Sequence, residues 1–459
     1  MKMINAENPI LRKKDGGPAK PAAAHRRKTA VFFLLAVLLL LSACTQKSEF
    51  KLMIATIWEV PDPVPGGNAY DFSSSSRVIQ LERRGFLRGM EDYPADIDIT
   101  EFVLPEKADM TENTRGLAEL YSDKDILLTV GASRDDSTMH TAMASNFFNI
   151  PMLIPFSDGD LVTENGAEVV MRMTPVSRKY ANYIGQKIFP ANTFQTINSI
   201  LFENGPMPEY HISIGVFFAE NFNGHETSVM ITQQLMDNGM NIEYYRPFEK
   251  GALLPVFNRC WTEPGSSLAD MDVLIIIAED NDDLPNLSNV LEYWKNRSHK
   301  PIVLTVGYEP GSEDPNIFSA DNLYVIQQAI DLSRCPADIV EHEEAMGYAA
   351  GYLTKHVFDI VSADPPKEPS VWRQWLTNDI QKMQDHLDYV ESYRAKVFSA
   401  LMTLDEEVPC FGRVHFVSGS ADISELELNH FTAPGRHETV DPSLIQQLLL
   451  ERVREKTSR

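Results

Sequence analysis

The chain has 459 residues, enough for about two to three ordinary domains, and its 43% hydrophobic and 23% charged residues are those of a globular protein with a sizeable core. Its 65 Asp and Glu against 41 Lys and Arg argue strongly against a nucleic-acid binder, which needs a basic face to neutralise phosphates. A mean hydropathy of -0.22 with one long apolar run excludes a multi-span membrane protein, and four cysteines are too few for a disulfide scaffold.

Residues 1–43 read as an export signal. Arg26, Arg27 and Lys28 precede an uncharged run from Ala30 to Leu41, long enough for a signal core and short of the roughly 20 residues that cross a bilayer. The run closes on Leu41-Ser42-Ala43-Cys44, which resembles the bacterial lipobox, where cleavage leaves the cysteine first and a lipid is attached to its thiol. The alternative is an uncleaved anchor; either way the body is tethered to the cell envelope on the non-cytoplasmic side, in the periplasm or at the cell surface. Residues 44–50 are the tether. Without residues 1–43 the chain carries 33 basic and 63 acidic residues, a net charge of -30. If Cys44 is lipidated, Cys260, Cys335 and Cys410 permit one disulfide at most, with one thiol left over.

From Lys51 onward short β-rich runs alternate with helix-length amphipathic segments, which predicts an α/β fold with parallel sheets covered on both faces. The predicted strands are Leu52–Ile57, Ile97–Leu104, Asp125–Val130, Pro151–Pro155, Val169–Met173, Ile212–Phe217, Ile242–Tyr245, Asp272–Ala278, Pro301–Val306 and Leu323–Ile326. In the first helix Gly85 and Gly89 share a face that is expected to meet the sheet closely. Met139, Ala142, Met143 and Phe147 form one apolar stripe, and Met230, Ile231, Leu235 and Met236 another; both read as core. Helical pattern dominates from Ala337 to about Leu404, broken by a Pro-rich loop. Gly412 to Phe431 reads as two further strands, and residues 433–459 as a separate helix. Glu59–Ser76 and Lys250–Ala269 read as long loops.

Residues 130–185 carry a series of landmarks: Gly131 after a strand, the turn Asn149-Ile150-Pro151, Pro155, Val162-Thr163, Gly166, and Val170-Met171-Arg172-Met173-Thr174-Pro175. With the segments Val216–Glu226, Asp272–Asp280, Gly347–Leu353 and Gly412–Phe416, they resemble the type 1 periplasmic binding proteins of the leucine/branched-chain amino acid-binding group, over roughly residues 51–431. The resemblance implies two Rossmann-like lobes with parallel sheets joined by a three-crossover hinge. Lobe 1 is then 51–175 and 330–411, lobe 2 is 176–329 and 412–432, and 433–459 is a C-terminal helical extension. The crossovers fall near Thr174–Ser177, Gln327–Ile330 and Pro409–Gly412. The implied partners are a small-molecule ligand and an ABC permease, with the membrane reached through the lipid anchor and no cofactor or metal.

In amino-acid-binding relatives, hydroxyls and backbone N–H groups of two lobe 1 loops hold the ligand carboxylate. Those loops are here Ser133–Ser137 and Phe156–Asp158, so the candidate residues are Asp135, Asp136, Ser137, Phe156, Ser157 and Asp158. The aligned hydroxyl positions hold Asp135 and Asp158, and two unit charges about 5 Å apart at an effective dielectric of about 20 repel by roughly 3 kcal/mol. Asp135 or Asp136 is also expected to cap the following helix. In lobe 2 the candidates are Phe222, Glu279, Tyr308 and Glu309. Trp58 and Tyr70 either stack on a ligand or, for Trp58, fill the core.

These residues predict a solute-binding protein for a small polar ligand; the acids of its loops point either to a cationic or hydroxyl-rich ligand or only to the general acidity of a chain of net charge -30, and the alternative function is an envelope sensory or protein-interaction module on the same fold. No nucleophile with its base, metal set or phosphate loop emerges, so no enzyme is expected. The acids of Glu341-His342-Glu343-Glu344 lack metal-binding spacing and read as a solvated helix.

Overall fold

The ten β-rich runs before residue 330 all form strands: β1 (Leu52–Val60), β2 (Asp98–Pro105), β3 (Asp125–Val130), β4 (Met152–Ile154), β5 (Val170–Arg172), β6 (Ser213–Ala219), β7 (Asn241–Phe248), β8 (Val273–Ile277), β9 (Ile302–Val306) and β10 (Leu323–Gln328). The structure is a computed structural model describing residues 52–60, 72, 76–91, 97–105, 110–157, 159, 168–203, 212–278, 287–297, 299–307, 320–367, 379–417, 419–421, 425–433 and 436–458. The export signal, Cys44, the tether and Tyr70 lie outside the described residues.

Five more strands follow: β11 (Asp405–Val408), β12 (Gly412–Val417), β13 (Ser420–Ala421), β14 (Leu426–Ala433) and β15 (Arg436–Thr439). They complete an eight-stranded sheet, β11-β12-β13-β5-β4-β3-β1-β2, and a seven-stranded one, β15-β14-β10-β9-β8-β6-β7. Each sheet keeps one doubly wound order among its first five strands, β2-β1-β3-β4-β5 and β7-β6-β8-β9-β10, with parallel pairing throughout. Strands β6, β8, β9 and β10 are buried at every position, as strands between two helical layers should be, whereas the edge strands β2 and β7 bury only two residues each.

The helices are α1 (Arg77–Gly89), α2 (Met110–Asp123), α3 (Asp135–Phe147), α4 (Ser177–Asn182, continued by a π turn at Tyr183–Ile188), α5 (Ala191–Glu203), α6 (Phe222–Asp237), α7 (Leu253–Thr262), α8 (Leu287–Leu291), α9 (His342–Ala363), α10 (Asp379–Met402) and α11 (Ser443–Ser458). Helix α7 replaces part of the loop expected at Lys250–Ala269, because Leu253, Phe257 and Cys260 recur at helical spacing and bury one face.

Strand pairing moves the third crossover. Gly412–Val408 and His415–Asp405 pair β12 with β11, and Ser420 pairs with Arg172, so Gly412–Ala421 belong to the first sheet and the chain crosses between Ala421 and Leu426. The other two crossovers stand side by side: Gln328 Nε2 donates to Met173 O at 3.2 Å. Helix α11 is part of the second lobe rather than an appendage, since Ile445, Leu449 and Val453 are fully buried in that lobe's core and Arg452 Nη1 donates to Asp272 O at 2.8 Å.

Gly85 and Gly89 meet a helix, not the sheet. A Cβ at Gly85 would fall on the Glu344 carbonyl and one at Gly347 on the Glu82 carbonyl, so α1 and α9 touch backbone to backbone through Gly85, Gly89, Gly347 and Gly351. The acids at the start of α9 therefore clamp α1 instead of facing water. Arg77 binds both oxygens of Glu341 at 2.8 and 2.7 Å, and Arg84 both oxygens of the buried Glu344 at 2.5 and 2.8 Å. Cys335 and Cys410 form a disulfide beside the second crossover, and Cys260 is a buried thiol whose pKa burial raises. Of the Met stripes, Ala142, Ile231 and Leu235 are buried and Met236 is exposed; Met143 and Phe147 are exposed because α3 buries its small polar face, Thr138, Thr141 and Ser145, instead.

Candidate functional site

The strand order reverses beside the first strand of each sheet: β1 lies between β2 and β3, and β6 between β7 and β8. Open α/β sheets place ligands outside the carboxyl ends of the strands at such a reversal, where loops splay apart and helix N-termini gather. The helices that open there are α3, after β3, and α6, after β6, and these two pack against each other.

At the first reversal stands Glu59, the last residue but one of β1 and 1% exposed. Its Oε2 accepts the Ser133 N–H at 3.1 Å and its Oε1 the Arg134 N–H at 3.0 Å, with a further bond from the Ser137 hydroxyl. Burial raises its pKa, opposed by those N–H donors and the Arg134 charge. The N-cap residue of α3 is Arg134, without a side-chain capping bond, so neither Asp135 nor Asp136 caps the helix: both lie within its first turn. The carboxylate that satisfies the loop N–H groups comes from another strand.

Beneath α3 a second buried acid is held by the neighbouring loop. Ser157 Oγ donates to Asp135 Oδ1, Gly159 N–H reaches the same oxygen at 3.4 Å, Arg172 Nη2 donates to Gly159 O, and Thr174 Oγ1 to Ser157 O. Arg172 is fully buried, and its charge with the Ser157 bond offsets part of the rise that burial imposes on Asp135. Ser137 and Ser157 are buried within this network, and Asp136 is exposed above it. The structure thus joins Asp135, Ser137 and Ser157 with two residues that sequence reasoning passed over, Glu59 and Arg172. A signal existed for each: an acid at the end of an otherwise apolar strand, and a guanidinium inside a three-residue buried strand.

Trp58 is core filler. Its ring is 1% exposed, packs against Phe86 at 6.3 Å and Phe156 at 6.0 Å, and its N–H donates to Thr56 Oγ1 at 3.1 Å. Phe156, half-buried, packs on the same core. Phe222 opens α6 in the second lobe, half-buried, beside the N-cap residue Asn221, whose own side chain accepts the Gly224 N–H at 2.7 Å. Asn223 Oδ1 accepts from Ser177 Oγ and Thr227 Oγ1, both at 3.0 Å, which ties α6 to the first crossover. Asp158, Glu279, Tyr308 and Glu309 lie outside the described residues. Among the described residues no group of three His, Cys, Asp or Glu is placed to hold a metal ion, and no helix is long and apolar enough to cross a membrane. A pocket of about 390 Å3 lies just beyond the end of β10, against the second crossover, lined by Ile330, Asp331, Arg334, Phe411, Glu427 and His437 among others.

No protein-family model matches the chain, and no curated protein matches it. Solved structures do. An ABC transporter substrate-binding protein from Desulfitobacterium hafniense superposes with a TM-score of 0.51 at 14% identity, over 85% of this chain and 100% of that one. A leucine-binding protein from Thermotoga maritima gives 0.54 at 13% identity over 85% and 97%. A possible leucine/isoleucine/valine-binding protein from Rhodopirellula baltica gives 0.56 at 9% identity over 87% and 99%. This chain has the type 1 periplasmic binding protein fold. Two doubly wound sheets of identical strand order, joined by three crossovers, are what that fold consists of, and the match spans nearly the whole of each solved structure. Within the type 1 fold, Glu59 and Asp135 make the strand-end edge of lobe 1 acidic.

Proposed function

We propose that this protein is an exported, lipid-anchored solute-binding protein that clamps a small polar ligand between its two lobes and presents it to an ABC permease. The observation that carries this reading is the near-complete structural match to substrate-binding proteins. The charge pattern and the Leu41–Cys44 sequence support export and lipidation at Cys44.

The ligand is an amine, amide or polyol rather than a free α-amino acid. Three acids, Glu59, Asp135 and Asp136, stand at or in the first turn of α3. A ligand carboxylate placed among them meets like charge, while an ammonium or hydroxyl meets acceptors. Calorimetry of the purified protein against leucine, valine, and a panel of amines, amides and polyols tests this. Saturable binding of a panel member with compaction in solution scattering is expected; tight leucine binding by the unaltered protein overturns the ligand class.

A further inference from the structure

The first lobe differs from an ordinary strand-reversal site in that one of the chain's own carboxylates already stands in it. Glu59 leaves the end of β1, spans to the loop after β3 and takes two backbone N–H groups, one on each oxygen, at 3.1 and 3.0 Å, with the Ser137 hydroxyl alongside. Two backbone N–H groups converging on both oxygens of one carboxylate, where a 13-residue helix begins, are the donor set that binds an external anion at a helix start. Two facts show that this is more than a helix end being satisfied. The donors belong to the loop after β3 and the acceptor to β1, so the carboxylate bridges the two strands whose divergence makes the crevice. The helix that follows β1 itself, α1, is by contrast capped locally by Ser76, whose hydroxyl accepts the Ile79 N–H at 3.4 Å, as α6 after β6 is by Asn221.

We propose that Glu59 is a specificity-determining residue of lobe 1: it is a resident anion that fills the donor set at the β1–β3 crevice, so that ligands anchored by a carboxylate are refused there and ligands presenting an ammonium, amide or hydroxyl group are accepted. The proposal rests on the solute-binding reading above. A ligand carboxylate at this edge finds the loop N–H groups already engaged and a like charge about 5 Å away, which at an effective dielectric of about 20 amounts to roughly two decades of affinity.

Two substitutions test it. Glu59→Ala vacates a carboxylate-sized space in front of the Ser133 and Arg134 N–H groups. Formate should then bind the variant at least about tenfold more tightly than the wild type, and should raise the variant's melting temperature saturably while chloride at equal ionic strength does not. Equal response of variant and wild type to formate overturns the resident-anion assignment. Glu59→Gln keeps the volume and removes the charge, and serves if the alanine variant does not fold. Its affinity for glycine and leucine should rise by about one to two decades over wild type, with affinity for amines falling; unchanged preference between amino acids and amines overturns the specificity role. A wild-type protein that binds no amine, amide or polyol breaks the solute-binding reading, and the formate comparison still decides whether Glu59 occupies an anion site.

Discussion

The two lobes share a strand order but are held together by different kinds of contact. In lobe 2 the strands and helices from Ser177 to Gln328 follow one another along the chain, and α6 is capped by a residue one position before its start. Lobe 1 is assembled from distant pieces: α1 packs on α9 some 260 residues later, Cys335 bonds Cys410, and the start of α3 is satisfied by Glu59, about 75 residues upstream. Lobe 2 takes distant pieces in β14, β15 and α11, whereas lobe 1 draws a disulfide, a helix pair and a helix start from far along the chain. Lobe 1 is the one that carries buried acids at its strand reversal.

If that contrast is real, cutting a long-range contact in lobe 1 should cost more than cutting a local one in lobe 2. The largest effect is expected from the disulfide, which closes a loop of sequence separation 75. Cys335→Ala with Cys410→Ala should lower unfolding free energy by about 4 kcal/mol on the chain-entropy account, measured by urea denaturation without reductant. A loss below about 1 kcal/mol would mean that the second crossover is held by its hydrogen bonds alone.

Next is the helix contact. Gly347→Val forces a side chain into the Glu82 carbonyl and should destabilise by about 3 kcal/mol, whereas the same change at Gly265, with nothing nearby but a positive φ of 81°, should cost less. Similar losses at both sites would show that backbone conformation, not packing, sets the cost.

The sharpest form of the comparison pairs the two helix starts. Glu59→Ala leaves two loop N–H groups without their acceptor and should cost about 2 kcal/mol, and Asn221→Ala removes one local bond and should cost about 1 kcal/mol. Thermal unfolding of both variants decides it; a larger loss at Asn221 would reverse the ranking of the lobes.

The smallest effects are in the pH profile at the start of α9. Burial pushes Glu343 up to about 7 and His342 down to about 4. Glu343 holds a proton in the folded state that the unfolded chain has lost, so its contribution falls as pH rises from 4.5 to 7. His342 is neutral when folded and charged when unfolded, so its contribution is lost as pH falls from 6.5 to 4. The slopes oppose each other between 4.5 and 6.5. His342→Gln should therefore gain stability on acidification from pH 7 to 5, and Glu343→Gln should lose it. Parallel urea midpoints for both variants across that range would contradict the assignment.

Strand positions were legible because parallel strands buried on both faces must be apolar throughout, and β6, β8 and β9 contain little else. Helix α7 was obscured by the Pro and Gly residues around it, although Leu253, Phe257 and Cys260 mark its face. The site was legible in part. Asp135 and Ser157, taken from two separate loops, bond to each other, but Trp58 is enclosed by Phe86 and Phe156, since a residue's period along a strand tells which face it takes and not what covers that face.

By itself the amino-acid sequence determined the α/β class, the ten leading strands and the cysteine arithmetic, all of which depend on composition and on spacings of a few residues. Only the tertiary structure decided that Gly85 faces a helix, that Gly412–Ala421 complete the first sheet, that Glu341 and Glu344 clamp α1, and that Glu59 fills the start of α3. Each of these joins residues tens to hundreds of positions apart, and the partner of a carboxylate, a carbonyl or a strand edge is set by where the chain returns in space, which no local period encodes.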